Sequence, residues 1–173
     1  MYLWPCERMA FSFVDLCVRM FTAIVQGNGM HSLCLIRHGD SVNDILTPNG
    51  CEQIRLASER WKRHSDAATV SVYHAPAECT KLSARIFEEV TGIESTLHSQ
   101  LWIGHYHDKS VHHSFARWVA ALMSEHVVLI GHDETRRICE AIVALRFHSN
   151  DRPPYLPEGG VLKFQPSYGY QII

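Results

Sequence analysis

Leu33-Cys34-Leu35-Ile36-Arg37-His38-Gly39-Asp40 is a short apolar run that stops abruptly at Arg-His-Gly. Four to eight apolar residues in succession read as a buried strand, and in open α/β sheets ligand sites lie just beyond the carboxyl ends of such strands. Arg37 and His38 therefore stand where a site is expected. Arginine offers a phosphate a planar, bidentate fork of donors, and the adjacent histidine offers a nucleophilic imidazole that titrates near ~6.5 when unperturbed. The pair points to phosphoryl transfer through a phosphohistidine.

Working outward from this strand, the chain alternates between strand and helix patterns. A loop runs to Pro48, where Thr47 is a natural N-cap and Pro48-Asn49-Gly50 opens a helix with Ile54, Ala57 and Trp61 at helical spacing. Val70 to Tyr73 reads as a second strand. Residues 78 to 91 read as a second helix, with Leu82, Ile86, Phe87 and Val90 on one face and Gly92 as its stop. Ser95 to His98 forms a short third strand, and Phe115, Trp118, Val119 and Leu122 mark a third helix. Val127 to Ile130 is the most apolar strand and ends at Gly131-His132. A fourth helix over residues 134 to 146 buries Ile138, Ala141, Ile142 and Leu145, and Val161 to Phe164 and Tyr168 to Ile172 close the chain as paired strands. This alternation predicts an α/β three-layer sandwich, a mostly parallel central sheet with helices on both faces.

Residues 1 to 29 do not match this pattern and read as an N-terminal extension ahead of a domain over residues 30 to 173, with Gly27-Asn28-Gly29 as the break. Asp15 and Arg19 interrupt the apolar stretch from Met9 to Val25, so it makes a poor membrane span. It also lacks the basic start and small-residue cleavage site of a signal peptide. A formal net charge of −2 gives no basic surface for nucleic acid or an anionic membrane. The six cysteines contain no Cys-x-x-Cys pair, and Cys34 and Cys139 fall in apolar runs, which suits a reducing, cytoplasmic setting. The expected partner is a phosphorylated protein or a small phosphorylated molecule.

Two strands thus end in a histidine, His38 and His132. Together with Leu46-Thr47-Pro48-Asn49-Gly50 and His74-Ala75-Pro76, they give the chain a resemblance to the histidine phosphatase (phosphoglycerate mutase-like) superfamily. Within it, Arg37-His38-Gly39-Asp40, the run Leu46 to Glu52, Gly131-His132 and the lack of a large insertion are similar to the small bacterial phosphohistidine phosphatases of the SixA type. The resemblance implies that His38 attacks phosphorus, Arg37 holds two phosphate oxygens and His132 donates to the equatorial oxygens. It implies no metal and no cofactor. Asp40 would carry a proton or orient the site.

The departures bear on activity. Where the family pattern implies a second phosphate-binding arginine this chain has Cys79, and one lost preorganised donor costs about 2.7–4 kcal/mol of transition-state stabilisation. Lys81 and Arg85 lie in other directions on a helix of 3.6 residues per turn, which leaves His74 as the local candidate for phosphate binding. Leu101-Trp102-Ile103-Gly104 stands where the resemblance implies an acidic proton donor. A phosphohistidine substrate tolerates that loss, because its imidazole can leave neutral. Asp133-Glu134 after His132 would repel phosphate unless one is protonated or engaged as a helix cap on residues 135 to 137. His105, His107, His112 and His113 have no cysteine or carboxylate at ligand spacing and read as a solvated loop rather than a metal site. Trp102, Phe115 and Trp118 read as core, and Cys79 as a small space-filling residue. The reading is a phosphatase acting on protein phosphohistidine; the alternatives are a phosphatase of small metabolites, and a degenerate member that binds phosphate or a partner without turnover.

Overall fold

The computed structural model describes residues 32–65, 69–101, 118, 126–135, 155–165 and 169–173. Its main sheet has six strands. β1 (Ser32–Arg37), β4 (Val70–His74), β5 (Ser95–Leu97) and β6 (His126–Gly131) run parallel, and β7 (Val161–Gln165) with β8 (Gly169–Ile172) forms an antiparallel hairpin on one side. The order is β5-β4-β6-β1-β7-β8, with β7 antiparallel to β1. The mostly parallel α/β sheet expected from the sequence is thus present.

Unbroken apolar runs in β1 and β6 follow from burial on both faces. Because side chains alternate across a strand, Leu33, Leu35, Val127 and Leu129 enter one core, which also holds Leu101, Leu156, Leu162 and Phe164. Cys34, Ile36, Val128 and Ile130 enter the other, beneath helices α1 (Pro48–Arg63) and α2 (Glu78–Thr91). Trp118 packs edge-on against Tyr73, 4.8 Å between ring centroids, on the face opposite α1 and α2. The remainder of the third helix pattern, the fourth beyond Thr135, the four-histidine loop, Trp102 and Phe115, and the extension at residues 1 to 29 lie outside the described residues. Among the described residues, no helix is long and apolar enough to cross a membrane.

α1 begins, and α2 begins and ends, as the sequence indicates. Thr47 caps α1 by accepting from Gly50 N at 3.0 Å, Pro48 follows it, and Ile54, Ala57 and Trp61 are buried. Trp61 meets Phe87 of α2, 5.1 Å between centroids. Gly92 ends α2 in the left-handed conformation, φ 76°. The inward face of α2 is rotated from the one expected: Ile86 and Phe87 are buried, but Leu82 and Val90 are only half-buried, and Cys79, Thr80, Ser83 and Ala84 take the inner positions. Small side chains let the helix lie close to the sheet. The hydroxyls of Thr80 and Ser83 remain satisfied there by donating to the Ala77 and Cys79 carbonyls.

The stretch expected to be plain loop before Pro48 contains a tiny hairpin, β2 (Ser41–Val42) with β3 (Ile45–Leu46). Its two connecting residues, Asn43 and Asp44, have φ of 51° and 65°. Two consecutive positive values make a type I′ turn, which asparagine and aspartate tolerate. That turn delivers Asp44 to the site described next.

Candidate active site

The carboxyl ends of β1 and β6 lie side by side, with Arg37 in register with Gly131 and His38 N donating to Gly131 O at 2.9 Å. Each strand is followed at once by its histidine. The His38 and His132 rings meet edge to face, 4.8 Å between centroids and 65° between planes, and both are buried. His38 holds its ring by a 2.8 Å contact from Nδ1 to the Gly39 carbonyl. A carbonyl only accepts, so Nδ1 carries a hydrogen, and in the neutral ring Nε2 then keeps the lone pair. His132 is held down to about 4, by burial first, so at neutral pH it is an uncharged donor.

Two glycines allow this arrangement. A Cβ on Gly39 would lie 2.1 Å from the Gly50 carbonyl oxygen, and one on Gly50 would lie 2.0 Å from the Asp40 carbonyl oxygen. The His38 loop and the start of α1 therefore touch backbone to backbone. Asp40 sits within this contact: its side chain accepts from the Thr47 hydroxyl at 2.8 Å, its amide donates to Gln53, and its carbonyl accepts from Thr47 N. These bonds tie Asp40 to the α1 cap, an orienting position.

Arg37 faces the segment that leads into β7. Its Nη1 donates to the Leu156 carbonyl at 2.9 Å and to the Tyr155 hydroxyl, its Nη2 approaches Glu158 at 3.3 Å, and its guanidinium lies 5.0 Å from the Tyr155 ring centroid. The Nε is buried without a hydrogen-bond partner, as is Nδ1 of His132. Two donor-capable atoms are thus unspent at the same strand ends. Asp133 is occupied, accepting from Leu156 N at 3.3 Å. His74 is in register with Ile130, one residue short of Gly131, and its Nδ1 contacts the Ala75 carbonyl at 2.9 Å. Lys81 pairs with Glu78 at 2.5 Å and Arg85 is exposed, so neither takes the place of an arginine at position 79.

Cys79 is buried on the first turn of α2, with Sγ 3.7 Å from His132 Nε2. It faces the two histidines instead of merely filling space. Asp44 accepts from the amides of Glu78 and Cys79 at 2.9 and 3.3 Å, capping a helix whose own N-cap, Ala77, has no side chain to do so. Burial raises the Asp44 carboxyl, but the hydrogen bonds from the Cys79 thiol and the two amides outweigh it and leave it below its ordinary value. The thiol is pushed up to about 12 by burial and by Asp44. Sequence reasoning did not single out Asp44, Tyr155 or Glu158. Asn43-Asp44 between Val42 and Ile45 was the available signal for the first; the other two are joined to Arg37 only by the return of a distant segment.

No protein-family model matches the sequence, and no curated protein matches it. Solved structures do. SixA from Agrobacterium tumefaciens, assigned as a phosphohistidine phosphatase, superposes with a TM-score of 0.58 at 13% identity, over 83% of this chain and 96% of that one. A mycobacterial glucosyl-3-phosphoglycerate phosphatase in complex with VO3 gives 0.58 at 13%, over 83% and 98%. The protein histidine phosphatase SixA in complex with tungstate gives 0.57 at 16%, over 82% and 94%. With its strand order, paired strand-end histidines and this set of structural neighbours, the chain has the histidine phosphatase, phosphoglycerate mutase-like fold.

Proposed function

We propose that this chain is a phosphatase that works through a phosphohistidine on His38, with phosphohistidine on a protein as its substrate. The observation that carries the reading is the His38–His132 pair, two buried imidazoles in edge-to-face contact at the ends of adjacent parallel strands. Its support from known proteins is the fold shared with SixA and a glucosyl-3-phosphoglycerate phosphatase, structures of which hold tungstate and VO3, respectively.

In this reading His38 Nε2, kept free by the Nδ1 contact to Gly39, attacks phosphorus. Arg37 supplies its unspent Nε, and neutral His132 donates to an equatorial oxygen. His74, at the carboxyl end of β4 beside β6, supplies a further phosphate contact. Asp40 orients the His38 loop through Thr47. Water then hydrolyses the phosphohistidine. With a cysteine at position 79 the site holds fewer cations, which favours a leaving group that departs as neutral imidazole over an alkoxide.

The test is phosphate release from a phosphohistidine-carrying protein and from an aryl phosphate, wild type beside His38→Ala, in the presence of a chelator. The expected result is release that prefers the phosphohistidine protein and falls to background in the variant. A preference for the aryl phosphate would assign a metabolite phosphatase, and no His38-dependent release from either would overturn the reading.

A further inference from the structure

Three elements deliver three metal-ligating side chains to one point. His38 follows β1, Cys79 lies in the first turn of α2, and His132 follows β6; all three are buried, and each offers a donor atom within 4.8 Å of the other two. We propose that His38, Cys79 and His132 bind a thiophilic divalent cation of the zinc class, and that the bound cation blocks the nucleophile. The binding stands on this geometry alone; the blocking rests on the phosphatase reading above.

The spacing suits such an ion. Zinc–sulfur and zinc–nitrogen bonds of about 2.3 and 2.0–2.1 Å at a tetrahedral angle set ligand atoms about 3.6 Å apart. Cys79 Sγ and His132 Nε2 are already 3.7 Å apart. Side-chain rotation alone can close the remaining separations, since none exceeds 4.8 Å. The donor set also fits: one thiolate and two imidazoles favour zinc over the hard cations magnesium and calcium, which take oxygen ligands.

The surroundings hold His38 and Cys79, two of the three ligands, as metal sites require. A ligating histidine usually donates its other ring N–H to a carbonyl or carboxylate, and His38 Nδ1 does so to Gly39 at 2.8 Å. His132 keeps a buried ring nitrogen with no hydrogen-bond partner. Asp44 accepts from the thiol and, through the α2 amides, is fixed beside it. On binding, the Cys79 S–H bond breaks and its proton leaves to buffer, while one metal–sulfur and two metal–nitrogen bonds form with no change of oxidation state. The divalent charge is then matched by the Cys79 thiolate and the Asp44 carboxylate. Three protein ligands leave a fourth position for water or an oxyanion oxygen. His38 Nε2, the atom that would attack phosphorus, is the one committed to the metal.

The experiment uses the full chain, stripped by chelator and then titrated with cobalt(II) as a spectroscopic surrogate. The expected result is one equivalent of cobalt with sulfur-to-metal absorption in the near ultraviolet and the intense visible bands of tetrahedral cobalt, all displaced by zinc. Cys79→Ser should abolish the ultraviolet band. His132→Gln should weaken binding more than about tenfold, and serves as the second variant if the serine variant does not fold. No band in the wild type, or a band that persists in Cys79→Ser, overturns the site. Zinc should also suppress His38-dependent phosphate release at least tenfold more strongly in the wild type than in Cys79→Ser, and equal suppression overturns the blocking. Absence of release in chelator would remove the phosphatase reading while the cobalt spectrum still decides the binding.

Discussion

The Asp44 carboxylate spans the N-terminus of α2 and the Cys79 thiol, accepting from both Glu78 N and Cys79 N. A residue in a two-residue turn thereby caps a helix distant in sequence and helps to hold protonated the thiol beside the His38–His132 pair. Asp44→Ala is expected to cost about 0.5–2 kcal/mol, the usual worth of an N-cap, measured by urea unfolding. Removing the charge should also lower the Cys79 thiol from about 12 and speed its alkylation at alkaline pH. Alkylation no faster than in the wild type would disprove the coupling.

Glu158 engages Arg37, the residue proposed to bind phosphate. The pair is 3.3 Å apart and the glutamate is partly exposed, so the contact is worth about 0.2–1 kcal/mol. Glu158→Gln should tighten inhibition by tungstate by up to about fivefold. Weaker inhibition would mean that Glu158 positions Arg37 instead of holding it back.

Stability should fall on mild acidification. His132 titrates near 4 in the folded chain and near 6.5 when unfolded. Below about 6.5 the unfolded chain takes up a proton that the folded chain refuses. The contribution is therefore fully present above that pH and is lost as the pH falls toward 4, to a total of about 3 kcal/mol. Urea midpoints across this range should slope accordingly, and His132→Gln should flatten the slope.

The contact between Gly39 and Gly50 leaves no room for a side chain. Gly50→Ala would bring a Cβ to 2.0 Å from the Asp40 carbonyl oxygen, backbone that cannot rotate away. The expected cost is at least about 1–3 kcal/mol, with displacement of the His38 loop, read as a lower melting temperature together with loss of phosphate release.

Local pattern made much of this legible. The apolar runs of β1 and β6, the Thr47 cap, the Gly92 stop and the strand-end position of His38 and His132 each follow from a few consecutive residues. Spacing also excluded Lys81 and Arg85 as substitutes for an arginine, and the structure places both elsewhere. What local pattern could not reveal depends on contacts between distant segments. The face of α2 was misjudged because large apolar residues draw attention, whereas close packing on the sheet selected Cys79, Ser83 and Ala84. Tyr155, Leu156 and Glu158 reach Arg37 only because the segment before β7 returns to β1. Asp44 was hidden by a hairpin of two-residue strands, too short to show alternation.

The sheet order has a consequence for synthesis of the chain. β6 lies between β4 and β1, although both are made long before it. Until it emerges from the ribosome, β1 and β4 each present an open apolar edge, the surface on which nascent chains stick to one another. Insertion of β6 closes both edges and in the same event sets His132 against His38. Closing of these two facing edges and acquisition of the histidine pair are therefore one step, so a chain halted before that strand keeps both edges open and carries half of the pair.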